Sequence, residues 1–293
     1  MTFSLRSLPL TILGLASLSG LAIGGCQGPV PERSPATADP ALAAAPAHPV
    51  AHAAQVLPAA RTIEYVTEDG VHISATLQPA AAPDAPAVIL VHQLGSDRAE
   101  WAPLLERLRI EPGFTTLAID MRGHGQSTRG PNGVIGWSSF DASEWAATHF
   151  DVEGAITFLR GSGSGVVPSE IAAVGSSMGS SAVIAAAAHE PSLTTIVTLS
   201  PGRAYHGFDA ITPAIGLGDR AIFAIVAHDE ADGVETAAVY GRIAHVPPRV
   251  VDGNAHGVAL FALDPTTLDG VEDFLRQHLS QPRAVARVAP TSL

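Results

Sequence analysis

Residues 171–183 read IAAVGSSMGSSAV, and this stretch decides the predicted fold. Its first four residues are apolar and predict a buried strand, and residues 182–188 predict a helix. Between them lies Gly175-Ser176-Ser177-Met178-Gly179, which has the form G-x-S-x-G. Glycines at both ends let a strand and a helix approach closely while the middle serine occupies a strained turn that exposes its hydroxyl. Ser177 is therefore the predicted nucleophile, and Ser176 is predicted to be a buried packing residue.

Short apolar runs alternate with helical patterns on both sides of this motif. The predicted strands are residues 62–67, 71–77, 87–91, 114–120, 171–174, 195–199, 221–227 and 249–251. The further predicted helices lie near residues 97–110 and 142–159 and at the end of the chain, where Val271, Phe274, Leu275 and Leu279 share one face. The first two strands flank a turn and form a hairpin. This order predicts an α/β fold, with a mostly parallel, eight-stranded sheet and helices on both faces.

A serine hydroxyl is a poor nucleophile unless a base accepts its proton. His256 is the predicted base, because Asn254-Ala255-His256-Gly257 lies in the loop after the last strand. An acid that orients this histidine should follow the strand at residues 221–227. Asp232 is the predicted acid, since it lies far enough past the strand to turn back and Gly233 permits the turn. Glu230 is the alternative.

Two further segments add to the evidence from the order of nucleophile, acid and histidine. Val91-His92-Gln93-Leu94-Gly95 follows the first predicted parallel strand, and residues 120–127, DMRGHGQS, follow the next one. Together with Ser177, the acid after the following strands and His256, these segments resemble the α/β-hydrolase family over residues 61–280. The resemblance implies an oxyanion hole made by the backbone N–H groups of Leu94 and Met178. It also implies a structural role for the RGHG turn at residues 122–125. Gln93 stands where the family commonly has glycine.

The sequence lacks an aspartate nucleophile and a segment long enough for a cap domain, and both absences narrow the range of expected reactions. A serine nucleophile, in place of aspartate, disfavours the dehalogenases and epoxide hydrolases of this fold. Only about 20 residues, 201–220, separate two strands between which other members insert a cap, and this connection is too short for a cap domain. The chain therefore resembles dienelactone hydrolases and small carboxylesterases.

The predicted function is hydrolysis of small-molecule carboxylic esters by a Ser-His-Asp acyl-enzyme mechanism. We expect a monomer that needs no cofactor and no metal. Four alternatives remain open at this point: a thioesterase, a peptidase, an acyltransferase, and an inactive hydrolase scaffold that binds a partner or a ligand in the cell envelope.

The N-terminal residues predict export and lipid attachment. Arg6 is the only charge in residues 1–25, and the apolar run at residues 8–23 has signal-peptide length. That run is shorter than the roughly 20 residues of a membrane-spanning helix. Ile23-Gly24-Gly25-Cys26 resembles a bacterial lipobox, which implies cleavage after residue 25 and lipidation of Cys26. Gln27 after the cysteine implies sorting to the outer membrane of a Gram-negative cell envelope.

The remaining organisation follows from composition. Residues 26–60 are rich in alanine and proline and predict a tether, and residues 281–293 predict a flexible tail. His48 and His52 have helical metal-ligand spacing, but neighbouring prolines argue against a helix, so both are predicted to be solvated.

Composition also excludes several classes of protein. The chain has 293 residues, of which 46% are hydrophobic, so it can bury one large core. Its net charge is −12, which argues against a nucleic-acid partner. A single cysteine excludes an intramolecular disulfide framework and a CxxC redox pair.

Overall fold

The computed structural model describes residues 57–110 and 113–279, and its central element is a sheet of ten strands. These strands are β1 (Arg61–Val66), β2 (His72–Gln78), β3 (Ala87–Val91), β4 (Thr115–Ile119), β5 (Arg129–Gly130), β6 (Gly133–Val134), β7 (Ile171–Ser176), β8 (Leu193–Leu199), β11 (Ala221–Ala227) and β12 (Arg249–Val251). A separate antiparallel pair consists of β9 (Ala204–Tyr205) and β10 (Phe208–Asp209).

The strand order is β12-β11-β8-β7-β3-β4-β2-β5-β6, and β1 pairs with β2. The six neighbouring strands β12, β11, β8, β7, β3 and β4 are parallel to one another, whereas β2 is antiparallel to both β1 and β4. The eight predicted strands are all present, so the prediction of a mostly parallel sheet is confirmed. The two-residue strands β5 and β6 extend its edge beyond that prediction.

Eight α-helices accompany the strands in the described ranges. They are α1 (Ala102–Leu108), α2 (Ala142–Ala146), α3 (His149–Arg160), α4 (Met178–His189), α5 (Ile211–Ile215), α6 (Ala231–Ala244), α7 (Leu260–Leu263) and α8 (Thr266–His278). The single helix predicted over residues 142–159 is wrong, because the chain forms α2 and α3. Thr148 separates them and donates its hydroxyl hydrogen to Trp145 O, at 2.7 Å. None of the helices within these ranges is both long and apolar enough to span a bilayer.

The sheet is buried on both faces. Along β3 the side chains alternate: Ile89 and Val91 belong to a hydrophobic cluster with α3, α4 and α6, and Val88 and Leu90 belong to a second cluster with α1 and α8. All four side chains are fully buried. A strand buried on both faces reads as a continuous apolar run, which explains the sequence of β3.

The connection from β8 to β11 is short. Within the described residues it contains only the β9–β10 hairpin and the five-residue α5, and no separate cap domain. The prediction of a fold without a cap is therefore confirmed. Four predicted features lie outside the described residues: the signal segment, Cys26, nearly all of the tether and the C-terminal tail.

Candidate active site

Ser177 lies on the sharp turn between β7 and α4. Its backbone has φ 51° and ψ −115°, a conformation that is costly for a residue with a Cβ atom. Its N–H donates to Leu199 O at the end of β8, at 2.8 Å, and Ser177 is 5% exposed. Ser176 is fully buried beneath the turn, as the motif predicts. The strained turn places Ser177 at the carboxyl edge of the sheet, where the loops after the parallel strands converge.

The two glycines of the motif make this turn possible. A Cβ atom on Gly179 would lie closer than 3.0 Å to the carbonyl oxygens of Val91 and His92, at the end of β3. A Cβ atom on Gly175 would lie equally close to the carbonyl group of Gly179. Both distances are shorter than real Cβ contacts, so α4 can begin here only if both positions are glycine.

His256 and Glu230 meet above the carboxyl edge. His256 Nδ1 lies within hydrogen-bond distance of Glu230 Oε1. Because a carboxylate oxygen can only accept, Nδ1 carries the hydrogen and Nε2 keeps a free lone pair. The histidine side chain is 48% exposed, whereas that of Glu230 is 17% exposed. This pair has the geometry of a base and the acid that orients it.

The prediction of Asp232 as the partner of His256 is therefore wrong. Helix α6 begins at Ala231, so Asp232 lies in its first turn with an exposed side chain. Gly233 is a helical residue, and its lack of a side chain lets α6 pack closely on Val226 of β11. Glu230 is the last residue before the helix, and its longer side chain reaches His256.

Ser200 links the acid to the histidine loop, a role that was not predicted from the sequence. Its hydroxyl donates to Glu230 Oε2 at 2.7 Å and accepts from the N–H of Gly257 at 2.8 Å. Ser200 itself has a left-handed backbone, with φ 49°, directly after β8. No local sequence pattern indicates this role, because its partners are 30 and 57 residues away.

The charge of Glu230 is stabilised by these contacts. Burial raises the pKa of Glu230, but hydrogen bonds from His256, from Ser200 and from the Ala227 N–H outweigh burial and lower it below its ordinary value. The carboxylate therefore stays ionised near neutral pH. An ionised partner stabilises the imidazolium that forms when the histidine accepts a proton.

The two predicted oxyanion donors are the backbone N–H groups of Leu94, in an earlier loop, and of Met178, directly after Ser177. Met178 is the first residue of α4, and the first N–H groups of a helix have no partner within it. Leu94 lies in the loop after β3. Within residues 57–110 and 113–279, no hydrogen bond joins either N–H to a protein acceptor. Both amides thus remain the candidate donors of an oxyanion hole.

His92 and Glu100 hold the Leu94 loop in place. His92 Nδ1 donates to Gln93 O at 2.7 Å, and its Nε2 accepts from the Met121 N–H at 2.9 Å. Burial lowers the pKa of His92 to about 4, so the ring is neutral and its tautomer is fixed. Glu100 Oε1 accepts from the Gln93 N–H at 3.0 Å, and burial raises the pKa of Glu100 to about 7. The hydrogen bond from His92 to Gln93 O was not predicted from the sequence. The role of Glu100 was not predicted either.

Tyr205 of the β9–β10 hairpin also faces the nucleophile. Its hydroxyl donates to Ser200 O at 3.0 Å, and the Ser177 side chain is close enough to influence the pKa of the phenol. Burial raises the pKa of Tyr205, although the Ser177 contact acts in the opposite direction. The phenol therefore stays protonated. A cavity of about 610 Å³ lies beside this ring, and Glu230 and Asp232 also line it.

The RGHG turn lies beside the site and is built from buried charges. Arg122 is 5% exposed and pairs with Asp151, which is fully buried, and with Asp69. The Arg122 N–H also donates to Asp151 at 2.8 Å. These contacts fasten the turn after β4 to α3 and to the first hairpin, so the structure gives the turn a scaffolding position.

The sequence of the middle of the chain matches a known family. The model for the alpha/beta hydrolase fold matches residues 86–226. The chain has the α/β-hydrolase fold. The matched range contains Ser177 and ends before Glu230 and His256, so the pairing of those two residues rests on their geometry. Among curated proteins, none matches this chain in sequence.

Solved structures share the hydrolase fold at low sequence identity. An esterase from Pyrococcus furiosus superposes with a TM-score of 0.59 at 17% identity, covering 75% of this chain and 92% of the esterase. A dienelactone hydrolase from Anabaena variabilis has a TM-score of 0.59 at 16% identity, covering 77% of this chain and 100% of the other. The α/β-hydrolase GrgF from a Penicillium species has a TM-score of 0.61 at 14% identity, covering 76% and 99%.

Proposed function

We propose that this protein is a serine hydrolase that cleaves carboxylic esters, with Ser177 as nucleophile, His256 as base and Glu230 as the acid that orients the base. The observation that carries the proposal is the hydrogen bond between His256 and Glu230 at the edge of the sheet where Ser177 occupies its strained turn. A nucleophile, a base and an orienting acid are the parts that this chemistry requires.

The first half of the reaction forms an acyl-enzyme. Ser177 Oγ attacks the ester carbonyl carbon, and its proton moves to His256 Nε2. The N–H groups of Leu94 and Met178 hold the oxyanion of the tetrahedral intermediate. The carbon–oxygen bond to the leaving group then breaks, and the alcohol departs with the proton from His256.

The second half releases the acid. His256 takes a proton from a water molecule, whose oxygen attacks the acyl carbon and forms a second tetrahedral intermediate. The bond to Ser177 Oγ breaks, the serine regains its proton from His256, and the carboxylic acid leaves. Glu230 stays ionised throughout and stabilises the imidazolium in both halves.

We further propose that the enzyme is anchored to the cell envelope through lipid on Cys26, facing the periplasm or at the outer membrane. The support is the lipobox resemblance of residues 23–26 and the preceding apolar run of signal-peptide length. The alanine- and proline-rich residues 26–60 would then separate the hydrolase domain from the membrane surface.

Labelling with a fluorophosphonate tests the assignment of the nucleophile, because the reagent reacts with activated serines. We expect one label on Ser177, located by mass spectrometry, and loss of label and of ester hydrolysis in Ser177→Ala. Ser181→Ala is the matched control: this residue lies one helical turn further along α4, and its buried hydroxyl has no partner among the described residues. Absence of both labelling and hydrolysis would instead indicate an inactive scaffold.

The preferred bond is tested by presenting one acyl group in three linkages. We expect the nitrophenyl acetate to be hydrolysed with a higher kcat/KM than the matching thioester and anilide. A preference for the thioester or the anilide would assign the same residues to a thioesterase or a peptidase.

A further inference from the structure

Three potential metal ligands converge at the far end of α4 from Ser177. His149 and Glu153 lie four residues apart near the start of α3, a spacing that places both side chains on one face of a helix. His189 is the last residue of α4, which packs beside α3. Twelve residues of helix separate this cluster from the serine turn, about 18 Å at 1.5 Å per residue. The cluster is thus remote from the proposed active site.

The donor atoms point at one another. His149 Nδ1 and His189 Nδ1 each lie 2.8 Å from the same oxygen, Glu153 Oε1. The three ligand atoms all lie within 4.8 Å of one another. The imidazole rings are in edge contact, with centroids 4.8 Å apart. Two histidines from different helices therefore share a single carboxylate oxygen.

We propose that His149, Glu153 and His189 form a binding site for a divalent transition-metal ion, with Zn²⁺ as the representative ion. Two imidazole nitrogens and one carboxylate oxygen are a ligand set that suits Zn²⁺. Ligand atoms around a tetrahedral zinc are roughly 3.4 Å apart, given bonds of about 2.0–2.1 Å. The two nitrogen–oxygen distances of 2.8 Å would each have to lengthen by about half an ångström to reach that spacing. This site departs from the expectation of no metal.

The surroundings fit a cation. Glu153 is partly buried, and its carboxylate faces both histidines. His189 is at the carboxyl end of α4, where the helix dipole favours positive charge. Both helices are fixed by the core, so the ligands stand on rigid elements. The side chain of His189 is 58% exposed, which leaves a path for the ion and room for a water ligand.

The bound ion would join α3 to α4 and would not take part in ester hydrolysis. The competing explanation is that the cluster is only a pair of histidine–carboxylate contacts, which at a surface are worth little. Metal affinity separates the two explanations.

Titration of the metal-free full chain with Zn²⁺, followed by calorimetry, tests the site. The protein is purified without a polyhistidine tag and freed of metal with a chelator. We expect one Zn²⁺ per chain, and a Zn²⁺-dependent rise in Tm as the ion binds the folded state. His149→Ala and His189→Ala should each weaken binding at least about tenfold, since even outer-shell changes cost 10- to 100-fold.

Two controls keep the result specific. His278→Ala removes an imidazole from the last residue of α8, just as His189→Ala does at the last residue of α4. The His278→Ala variant should bind Zn²⁺ like the wild type. The double variant His48→Ala/His52→Ala removes the paired histidines of the tether and should also bind normally. Circular dichroism checks that each variant is folded.

The proposal is overturned by any of three results. These are no saturable Zn²⁺ binding, binding that survives in both His149→Ala and His189→Ala, and binding that disappears in the tether variant. Because His189 is largely exposed, its replacement leaves the fold intact and keeps the test decisive.

Discussion

Glu230 accepts three hydrogen bonds, from His256, from Ser200 and from the Ala227 N–H. In Glu230→Gln, an amide group can present its NH₂ to the histidine and favour the wrong tautomer. We therefore expect kcat for ester hydrolysis to fall by a factor on the order of 10⁴. Asp232→Asn changes an exposed carboxylate in the next turn and should leave kcat within about threefold of wild type. A large loss in Asp232→Asn with an active Glu230→Gln would return the role to Asp232.

Glu100 gives the fold a specific pH dependence. Its pKa in the folded protein is about 7, raised by burial from 4.5, so the unfolded chain loses the proton first as the pH rises. The stability associated with neutral Glu100 is complete below about pH 4.5 and is lost as the pH rises through 7.

Glu100→Gln tests this assignment, because the amide oxygen can still accept from the Gln93 N–H. We expect the variant to gain stability over wild type between pH 4.5 and 7, by on the order of 2 kcal/mol. Chemical denaturation at several pH values measures the difference. The control Glu106→Gln removes an exposed carboxylate from α1 and should not reproduce this gain in stability. A flat difference for Glu100→Gln would contradict the assignment.

Some residues of the site could be predicted from the sequence and others could not. Ser177 follows from a five-residue motif, because the spacing of its glycines encodes the turn locally. The acid was misassigned because the choice between Glu230 and Asp232 depends on where α6 begins. Gly233, which was expected to permit a turn, lies within that helix and packs against Val226, which is a tertiary contact.

At the scale of elements, the close approach of α4 to β3 at Gly179 serves the site. Gly179→Ala places a methyl group against the carbonyl oxygens of Val91 and His92. We expect a loss of roughly 3 kcal/mol or more in the free energy of unfolding, although alanine has the higher helix propensity by about 1 kcal/mol. Urea denaturation measures this change. An unchanged stability would mean that α4 can shift away from β3.

Gly136→Ala is the matched control. No atom lies within 4 Å of a Cβ placed there, and its φ of −143° is open to alanine. Its stability should stay within about 0.5 kcal/mol of wild type.

The elements themselves could be predicted because most of their signals are local. Each of the eight predicted strands is an apolar or alternating run, and each is present. The break between α2 and α3 was missed because the apolar pattern continues across it. The Asp141–Glu144 capping box at the start of α2 gave no signal for its end. The β9–β10 hairpin was missed because strands of two residues carry no periodicity.

At the scale of the whole molecule, the absence of a cap predicts the choice of substrate. Each methylene contributes about 0.8 kcal/mol only if it leaves water, and acyl carbons that extend past an open cleft remain hydrated. We expect kcat/KM for nitrophenyl esters to be highest for short acyl chains and to fall toward palmitate. No rate step should occur at the solubility limit of the substrate. A maximum at long chains would show that another segment, such as residues 130–143, covers the site.

Membrane attachment is predicted to depend on the sulfur atom of Cys26. Cys26→Ser removes the sulfur that would carry lipid, so the protein should move from the membrane to the soluble fraction while kcat/KM stays unchanged. Cell fractionation with an activity assay measures both. Attachment that persists in the variant would refute the lipobox interpretation. Arg33→Gln, a change in the same tether, should leave the protein in the membrane fraction.

The strained backbone of Ser177 sets a limit on protein engineering. A residue with φ 51° and ψ −115° costs on the order of 1–3 kcal/mol, and glycine at this position would relieve most of that cost. The most stable sequence for this backbone is therefore a different one from the sequence that can attack an ester. A redesign that optimises stability alone would replace Ser177 with glycine and remove the activity. Residue 177 must be held fixed in any such redesign.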